Sequence, residues 1–560
     1  RIVRVATCLE GSMDVEMVLK PTFDYARREA NIEVQSSTQD VFAAIITDTD
    51  RYLVLVVRCI HTTPGKEPAI SVGGAEHTVR ITTTLDAANG VSFALNYART
   101  REEAEVILDD LVTHDFTVDL DETGTYWRDW AATCRYNGTY QYAVMRSALT
   151  LKLCTFEPTG AIIAAPTTSL PEDIGGVRNW DYRYTWLRDS SFTLGALGAL
   201  GYTSEARDYF HFLHDLQIES GSELSIMYSI RGESGPALDE QTLDHLAGYR
   251  GSRPVRIGNG AAMQCQLDIY GELLDAAYHY VEYEGYRTGH RHHEPDRDLR
   301  DLIAVIANYV ADNWQELDRG IWEVRGAPRP FVYSRGMCWA ALDRACKLAP
   351  RHGHDGEVRR WAQIRDRIHA DVLEHGYNQE LQSFVQSYGS DVLDAANLRL
   401  LLNNFLPWSD PCVASTIEAT KRGLGGPDSL IYRYRPAGGE PHEPHSGGGT
   451  TGSACKSGGV SDDGLPGKEG AFLACAFWLI DDLCYLGQYE EARERFEQLL
   501  TYASPLGLYA EEIDPDTGAQ LGNYPQAFTH IGLINSAVTL QRAQEGTLYR
   551  LLSDEREGKA

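Results

Sequence analysis

Leu200-Gly201-Tyr202-Thr203-Ser204-Glu205-Ala206-Arg207-Asp208-Tyr209-Phe210 recurs near the end of the chain as Leu486-Gly487-Gln488-Tyr489-Glu490-Glu491-Ala492-Arg493-Glu494-Arg495-Phe496. In both copies an apolar helix pattern comes first, then a Gly-containing turn, then an amphipathic helix. A helix that is apolar all round has to be buried, and an amphipathic one can cover it. A repeated hairpin of inner and outer helices predicts a helical toroid. The alternative is two unrelated helix turns with similar caps. The helical pattern holds from about residue 140 onward.

Outward from that repeat the periodicity changes. Residues 1 to about 115 read as β: Val41–Ile46 and Tyr52–Val57 are short apolar runs, and Val79–Leu85 alternates and is rich in β-branched residues. Turns such as Asn89-Gly90 separate these runs, and an antiparallel sandwich fits best. Residues 116–140, with Tyr126-Trp127-Arg128-Asp129-Trp130, read as a linker with a short helix, and 141–552 as the helical domain. Residues 435–468 are Gly-rich. Their Cys455-Lys456-Ser457 lacks the Gly that a phosphate-binding loop carries before Lys, so a surface loop is expected.

The bulk composition narrows the function. The chain has 560 residues, too many for one ordinary core, with 43% hydrophobic and 23% charged residues and a net charge of −29. So acidic a surface repels phosphate backbones and anionic lipid, which argues against nucleic-acid and membrane partners but not against a neutral sugar. No stretch is apolar enough for a membrane helix. The 11 cysteines include no CxxC pair and mostly sit in apolar runs, which suggests reduced thiols and a cytoplasmic location. The sequon Asn137-Gly138-Thr139 is weak evidence to the contrary. The chain opens at Arg1 in strand-like sequence, without an initiator Met or signal peptide, so a truncated N-terminus is expected.

Three segments offer chemistry. Asn179-Trp180-Asp181-Tyr182-Arg183-Tyr184-Thr185-Trp186-Leu187-Arg188-Asp189 mixes aromatics with ionisable groups. Sugars have apolar C–H faces and hydroxyl rims, so they want an aromatic platform beside charged hydrogen-bonding groups. Trp186, Arg188 and Asp189 supply that mixture; a salt bridge in an aromatic core would read the same way. In Gly320-Ile321-Trp322-Glu323-Val324 the lone Glu has apolar neighbours, which favour a protonated carboxyl and hence a general acid. An exposed Glu at a helix start is the competing reading. In Tyr509-Ala510-Glu511-Glu512-Ile513-Asp514 three carboxylates repel one another, favouring a hydrated, ionised base. A solvated acidic turn is the competing reading. There is no G-x-S-x-G or H-E-x-x-H motif, and His290, His292 and His293 form only a weak metal-binding candidate. No metal or cofactor is expected.

These segments, in this order, resemble glycoside hydrolase family 15, the glucoamylase family, and most closely its bacterial-type members. The resemblance also rests on Ala164–Pro171, Gly176–Tyr184, Arg253–Gly260 and Gly522–His530. It implies an N-terminal β-sandwich, here shortened, a linker and an (α/α)6 barrel. It further implies Glu323 as general acid, Glu511 as general base and Tyr182 as a holder of the attacking water. Trp186, Arg188 and Asp189 would grip the terminal glucose, with Trp322 beside the acid and Arg253 and Arg256 on a loop near the sugar. Val324 stands where fungal members carry a second Glu, which leaves the leaving-group preference open. The reaction implied is inverting release of β-glucose from non-reducing ends of α-gluco-oligosaccharides, isomalto-oligosaccharides or trehalose. An inverting enzyme needs its carboxyls roughly 6.5–9.5 Å apart to admit water. A glycoside phosphorylase, which needs no carboxylate base, and a sugar-binding pseudoenzyme are the competing functions.

Overall fold

The computed structural model describes residues 1–61, 71–73, 77–87, 89–220, 223–288, 296–349, 355–434 and 464–548. The His290–His293 stretch and most of the Gly-rich segment, through residue 463, lie outside the described residues. The chain divides into two compact units, Arg1–Ala132 and Thr133–Ala560.

In the first unit ten strands are described: β1 (Ile2–Thr7), β2 (Ser12–Leu19), β3 (Thr22–Phe23), β4 (Arg28–Glu29), β5 (Asn31–Ser37), β6 (Val41–Thr47), β7 (Tyr52–His61), β8 (Ser71–Gly73), β9 (Val79–Asp86) and β10 (Asn89–Ala98). They form an antiparallel five-stranded sheet, β1-β10-β7-β6-β5, and a three-stranded one, β2-β9-β8, with β3-β4 as a small hairpin. The difference between continuous and alternating sequence now has a cause. β9 buries Val79, Ile81, Thr83 and Leu85 and exposes the residues between them. β6 is buried on both faces: Phe42, Ala44 and Ile46 pack with Ile81 and Leu85 of β9, whereas Ala43 and Ile45 pack with Ala104, Leu111 and Phe116.

Those last three residues lie on α1 (Arg101–Thr113) and α2 (Phe116–Ala132). The reading of 1–115 as purely β therefore needs correction, as does that of a linker with a short helix. Residues 101–113 are helical because Thr100 caps them: its side chain accepts from Glu103 N–H at 3.1 Å, while the Glu103 carboxylate accepts from Arg99 N–H at 2.7 Å. Residues 116–132 make a seventeen-residue helix within the first unit.

The second unit holds α3 (Gln141–Leu153), α4 (Leu187–Ala199), α5 (Ser204–Ser220), α6 (Asp268–Thr288), α7 (Arg297–Asn313), α8 (Val332–Leu348), α9 (Asp355–His375), α10 (Ala396–Leu402), α11 (Pro411–Leu424), α12 (Leu473–Tyr485), α13 (Tyr489–Leu500) and α14 (Ala527–Gln544). Packing neighbours run α4-α6-α8-α10-α12-α14 and back to α4. The remaining helices pack against this ring: α3 on α14, α5 on α4, α7 on α6 and α8, α9 on α8, α11 on α10 and α13 on α12. The repeated segment is the hairpin turn in both places. α12 buries every residue from Leu473 to Cys484, whereas α13 buries only Ala492, Phe496 and Leu499. Gly201 (φ +96°) and Gly487 (φ +78°) take left-handed backbone just past the helix end. There Tyr202 N–H donates to Leu197 O at 3.0 Å and Gln488 N–H to Leu483 O at 2.8 Å, the same helix stop twice.

This helical core buries unusual acidity. Burial pushes the Asp268 and Asp481 carboxyls up to about 7, and those of Asp318 and Asp394 up to about 6. Their ordinary value is near ~3.9, so the folded state binds these protons more tightly than the unfolded chain. The resulting stabilisation is present below the ordinary value and is lost as pH rises through about 6 to 7. Asp481→Asn removes one such titration. At pH 8 it should raise the melting temperature by roughly 2–4 °C, and the gain should shrink toward pH 5. A gain independent of pH would show that Asp481 does not titrate in this range.

Candidate active site

The side chains singled out in the sequence stand at the N-terminal ends of the inner helices or in the loops before them. Trp186 is the N-cap residue of α4, and Arg188 and Asp189 lie in its first turn. Phe472 and Gln526 are the N-cap residues of α12 and α14. Glu323 lies between α7 and α8, and Glu511 between α13 and α14. One cavity is lined by Tyr182, Trp186, Arg188, Asp189, Trp322, Glu323 and Glu511, together with Trp180, Arg325 and Arg433.

The Glu323 carboxylate shares its cavity with its apolar sequence neighbours Ile321 and Trp322, but its hydrogen bonds come from elsewhere in the chain. Ile321, Trp322 and Val324 are buried in the protein. Glu323 itself has left-handed backbone, φ +59°, a conformation that costs a non-glycine residue ~1–2 kcal/mol. Its side chain turns toward donors: Trp186 Nε1–H donates to Oε1 at 2.7 Å and Arg188 reaches the same oxygen at 3.4 Å. Gln264 holds its carbonyl at 3.2 Å. Arg188 is itself fixed by Asp189 Oδ2 at 3.0 Å and Ile321 O at 2.8 Å. Trp322 donates its indole N–H to Asp394 at 2.7 Å, so its ring is locked against the cavity wall.

Glu511 is 4% exposed and Glu512 fully buried, so neither the hydrated base expected here nor the competing solvated turn is found at these two residues. Glu512 pairs through a short strand, Glu512–Ile513, with Ala471–Phe472 and Gln520–Leu521, and this takes the segment inside. The two side chains diverge. Glu511 faces the cavity, where the Tyr182 hydroxyl lies 2.9 and 3.0 Å from its two oxygens and donates to them. Burial, and then Glu172, push the Glu511 carboxyl well up, with Arg433 and the Tyr182 hydroxyl pulling the other way. Glu512 turns away and accepts from Gly470 N–H at 2.9 Å.

Glu512, Glu172 and Glu469 each place a carboxylate oxygen within 4.8 Å of the others, spacing that could hold a cation. Two guanidiniums already stand there: Arg433 pairs with Glu469 and lies 3.9 Å from Glu172, and Arg178 lies 3.6 Å from Glu172. The grouping is thus an ion cluster behind the Glu511 wall. Arg433 was not found from the sequence, where Tyr432-Arg433-Tyr434 carries no recognisable pattern.

Arg253 and Arg256, expected beside the sugar, do not line the cavity. Arg253 is exposed and gives its Nε–H to Ala247 O at 3.4 Å. Arg256 is consumed by the protein, donating to Glu240 at 3.0 Å, Val177 O at 2.8 Å and Asn179 O at 3.1 Å, and its guanidinium lies 4.7 Å from the Trp180 ring centre.

Residues 138–538 match the family model "Glycosyl hydrolases family 15". A trehalase of Mycobacterium tuberculosis is 39% identical over 550 residues, covering 97% of this chain and 73% of that protein. A trehalase of Thermoplasma volcanium is 40% identical over 424 residues, covering 76% of this chain and 62% of that protein. Among solved structures, a bacterial glucoamylase complexed with acarbose superposes with a TM-score of 0.69 at 14% identity, covering 98% of this chain and 81% of that one. The chain belongs to glycosyl hydrolases family 15 and is a glycoside hydrolase.

Proposed function

We propose that this protein is an inverting, exo-acting α-glucoside hydrolase with trehalose as its substrate, Glu323 as general acid and Glu511 as general base. The observation that carries the reading is one cavity with two carboxylates held in different ways: Glu511 by the Tyr182 hydroxyl, Glu323 by the Trp186 indole and Arg188. The trehalase relatives at 38–40% identity supply the substrate. The packing order of the helices supports an (α/α)6 barrel with its mouth at the N-terminal ends of the inner ring, and the two sheets sharing one core support a β-sandwich.

The terminal glucose sits against Trp186, Arg188, Asp189 and Trp322. Both bonds to Glu323 fall on Oε1, so Oε2 carries the proton delivered to the glycosidic oxygen. Glu511 takes a proton from a water that Tyr182 helps to orient, and that water attacks the anomeric carbon from the face opposite the leaving group. Trehalose joins two α-anomeric carbons. Inversion at one ring therefore yields one β-glucose, and the departing ring is released as α-glucose. Proton NMR of the first turnovers should show the two anomers in equal amounts before mutarotation. α-Glucose alone would mean retention, and glucose 1-phosphate among the products would mean a phosphorylase.

A further inference from the structure

Trp180 lines the cavity, and two guanidiniums lie over its indole: Arg256 at 4.7 Å and Arg325 at 5.2 Å from the ring centre. Like charges so close need a shared counter-ion, and Glu240 supplies it. One of its oxygens accepts from Arg256 Nε at 3.0 Å, and the other from Arg325 at 3.3 Å and from Gly260 N–H at 3.3 Å. The backbone of the ring is pinned as well, since Asn523 donates to Trp180 O at 2.9 Å.

The two arginines are used differently. Arg256 spends its donors on Glu240 and on the carbonyls of Val177 and Asn179. Arg325 gives one N–H group to Glu240 and, among the described residues, has no other protein acceptor. It lines the cavity two residues beyond Glu323. Its side chain is 32% exposed and that of Glu240 23%, against 12% for Arg188 and 5% for Asp189. The cavity therefore runs from an enclosed Trp186–Arg188–Asp189 end to a more exposed side at Arg325, which lies over the Trp180 ring.

On the reading above, an exo-acting enzyme holds the terminal glucose at the enclosed end and the leaving group at the more exposed side. We propose that Arg325, seated over Trp180, forms the recognition surface for the leaving sugar and is a specificity-determining residue. Its unused N–H groups face the hydroxyls of that ring, and the Trp180 indole beneath the guanidinium keeps it at the cavity. Glu240 and Arg256 are positioning residues that hold this surface in place.

The test compares trehalose with α-glucosyl fluoride, which presents the same terminal glucose but no leaving sugar. In Arg325→Ala, kcat/KM for trehalose relative to that for the fluoride should fall about ten- to hundredfold, the usual effect of losing charge-assisted hydrogen bonds. Glu240→Gln should shift the same ratio in the same direction by a smaller factor. Arg325→Lys, which keeps charge and length but loses the planar fork, should fall between Arg325→Ala and the unsubstituted protein and covers the case in which the alanine variant does not fold. Parallel loss on both substrates, or an unchanged ratio, would overturn the proposal. If the unsubstituted protein cleaves the fluoride but not trehalose, the substrate reading fails by itself. The same comparison is then made with the disaccharide that is cleaved.

Discussion

Glu511→Ala should lower trehalose turnover by about 10²–10⁴-fold, the usual contribution of a positioned base. With the carboxylate gone, the acid and the sugar-binding residues remain, but nothing takes the proton from the attacking water. The accompanying pH behaviour follows from burial. A base works deprotonated, and burial and Glu172 hold the Glu511 carboxyl well above its usual range. The acid limb of kcat/KM should accordingly lie above ~4.3, the ordinary glutamate value, and should disappear from whatever activity the variant retains. Azide needs no deprotonation, so added azide should convert α-glucosyl fluoride to β-glucosyl azide in the variant. Glu512→Ala serves as the contrast: its side chain points into the ion cluster with Glu172, Glu469 and Arg433, so a loss there should appear first as lower stability. If Glu512→Ala folds normally yet is the inactive variant, the base has been assigned one residue too early.

Glu323→Gln should be of similar size on trehalose, about 10²–10⁴-fold, and much smaller on α-glucosyl fluoride. The amide oxygen can still accept from Trp186 N–H, so the pocket keeps its shape. What is lost is the transferable proton, which a departing sugar alkoxide needs and fluoride does not. Equal losses on both substrates would remove Glu323 from the role of acid.

The sequence tells which residues share one cavity better than how their charges are housed. Tyr182, Trp186, Arg188 and Asp189 were visible because one short segment carries aromatics and charges together, and a single turn into α4 keeps them together in space. Around the two carboxylates sequence neighbours are an incomplete guide to spatial ones, for one shared reason: the hydrogen-bond partners are distant in sequence. At Glu323 a carboxylate carried on left-handed backbone accepts from a tryptophan 137 residues earlier. At Glu511 a two-residue strand draws an acidic run inside. Arg433 and Glu240 were missed because their partners are distant in sequence and no local pattern announces them. Arg256 stands in its motif, but its donors go to Glu240 and to the carbonyls of Val177 and Asn179 and it does not line the cavity. α1 was legible in principle, as Thr100-Arg101-Glu102-Glu103 is a capping signature hidden behind a long run of strands.

The bond between Tyr182 and Glu511 joins residues 329 positions apart. Loop closure over such a span comes late, after the local hairpins have formed. During synthesis Trp186, Arg188, Asp189 and Glu323 leave the ribosome long before Glu511. A chain ending before Phe472, the N-cap residue of α12, would lack that residue, Glu511, Gln526 and Phe528, four residues of the cavity wall, so the cavity is complete only when α14 packs against α3 and α4.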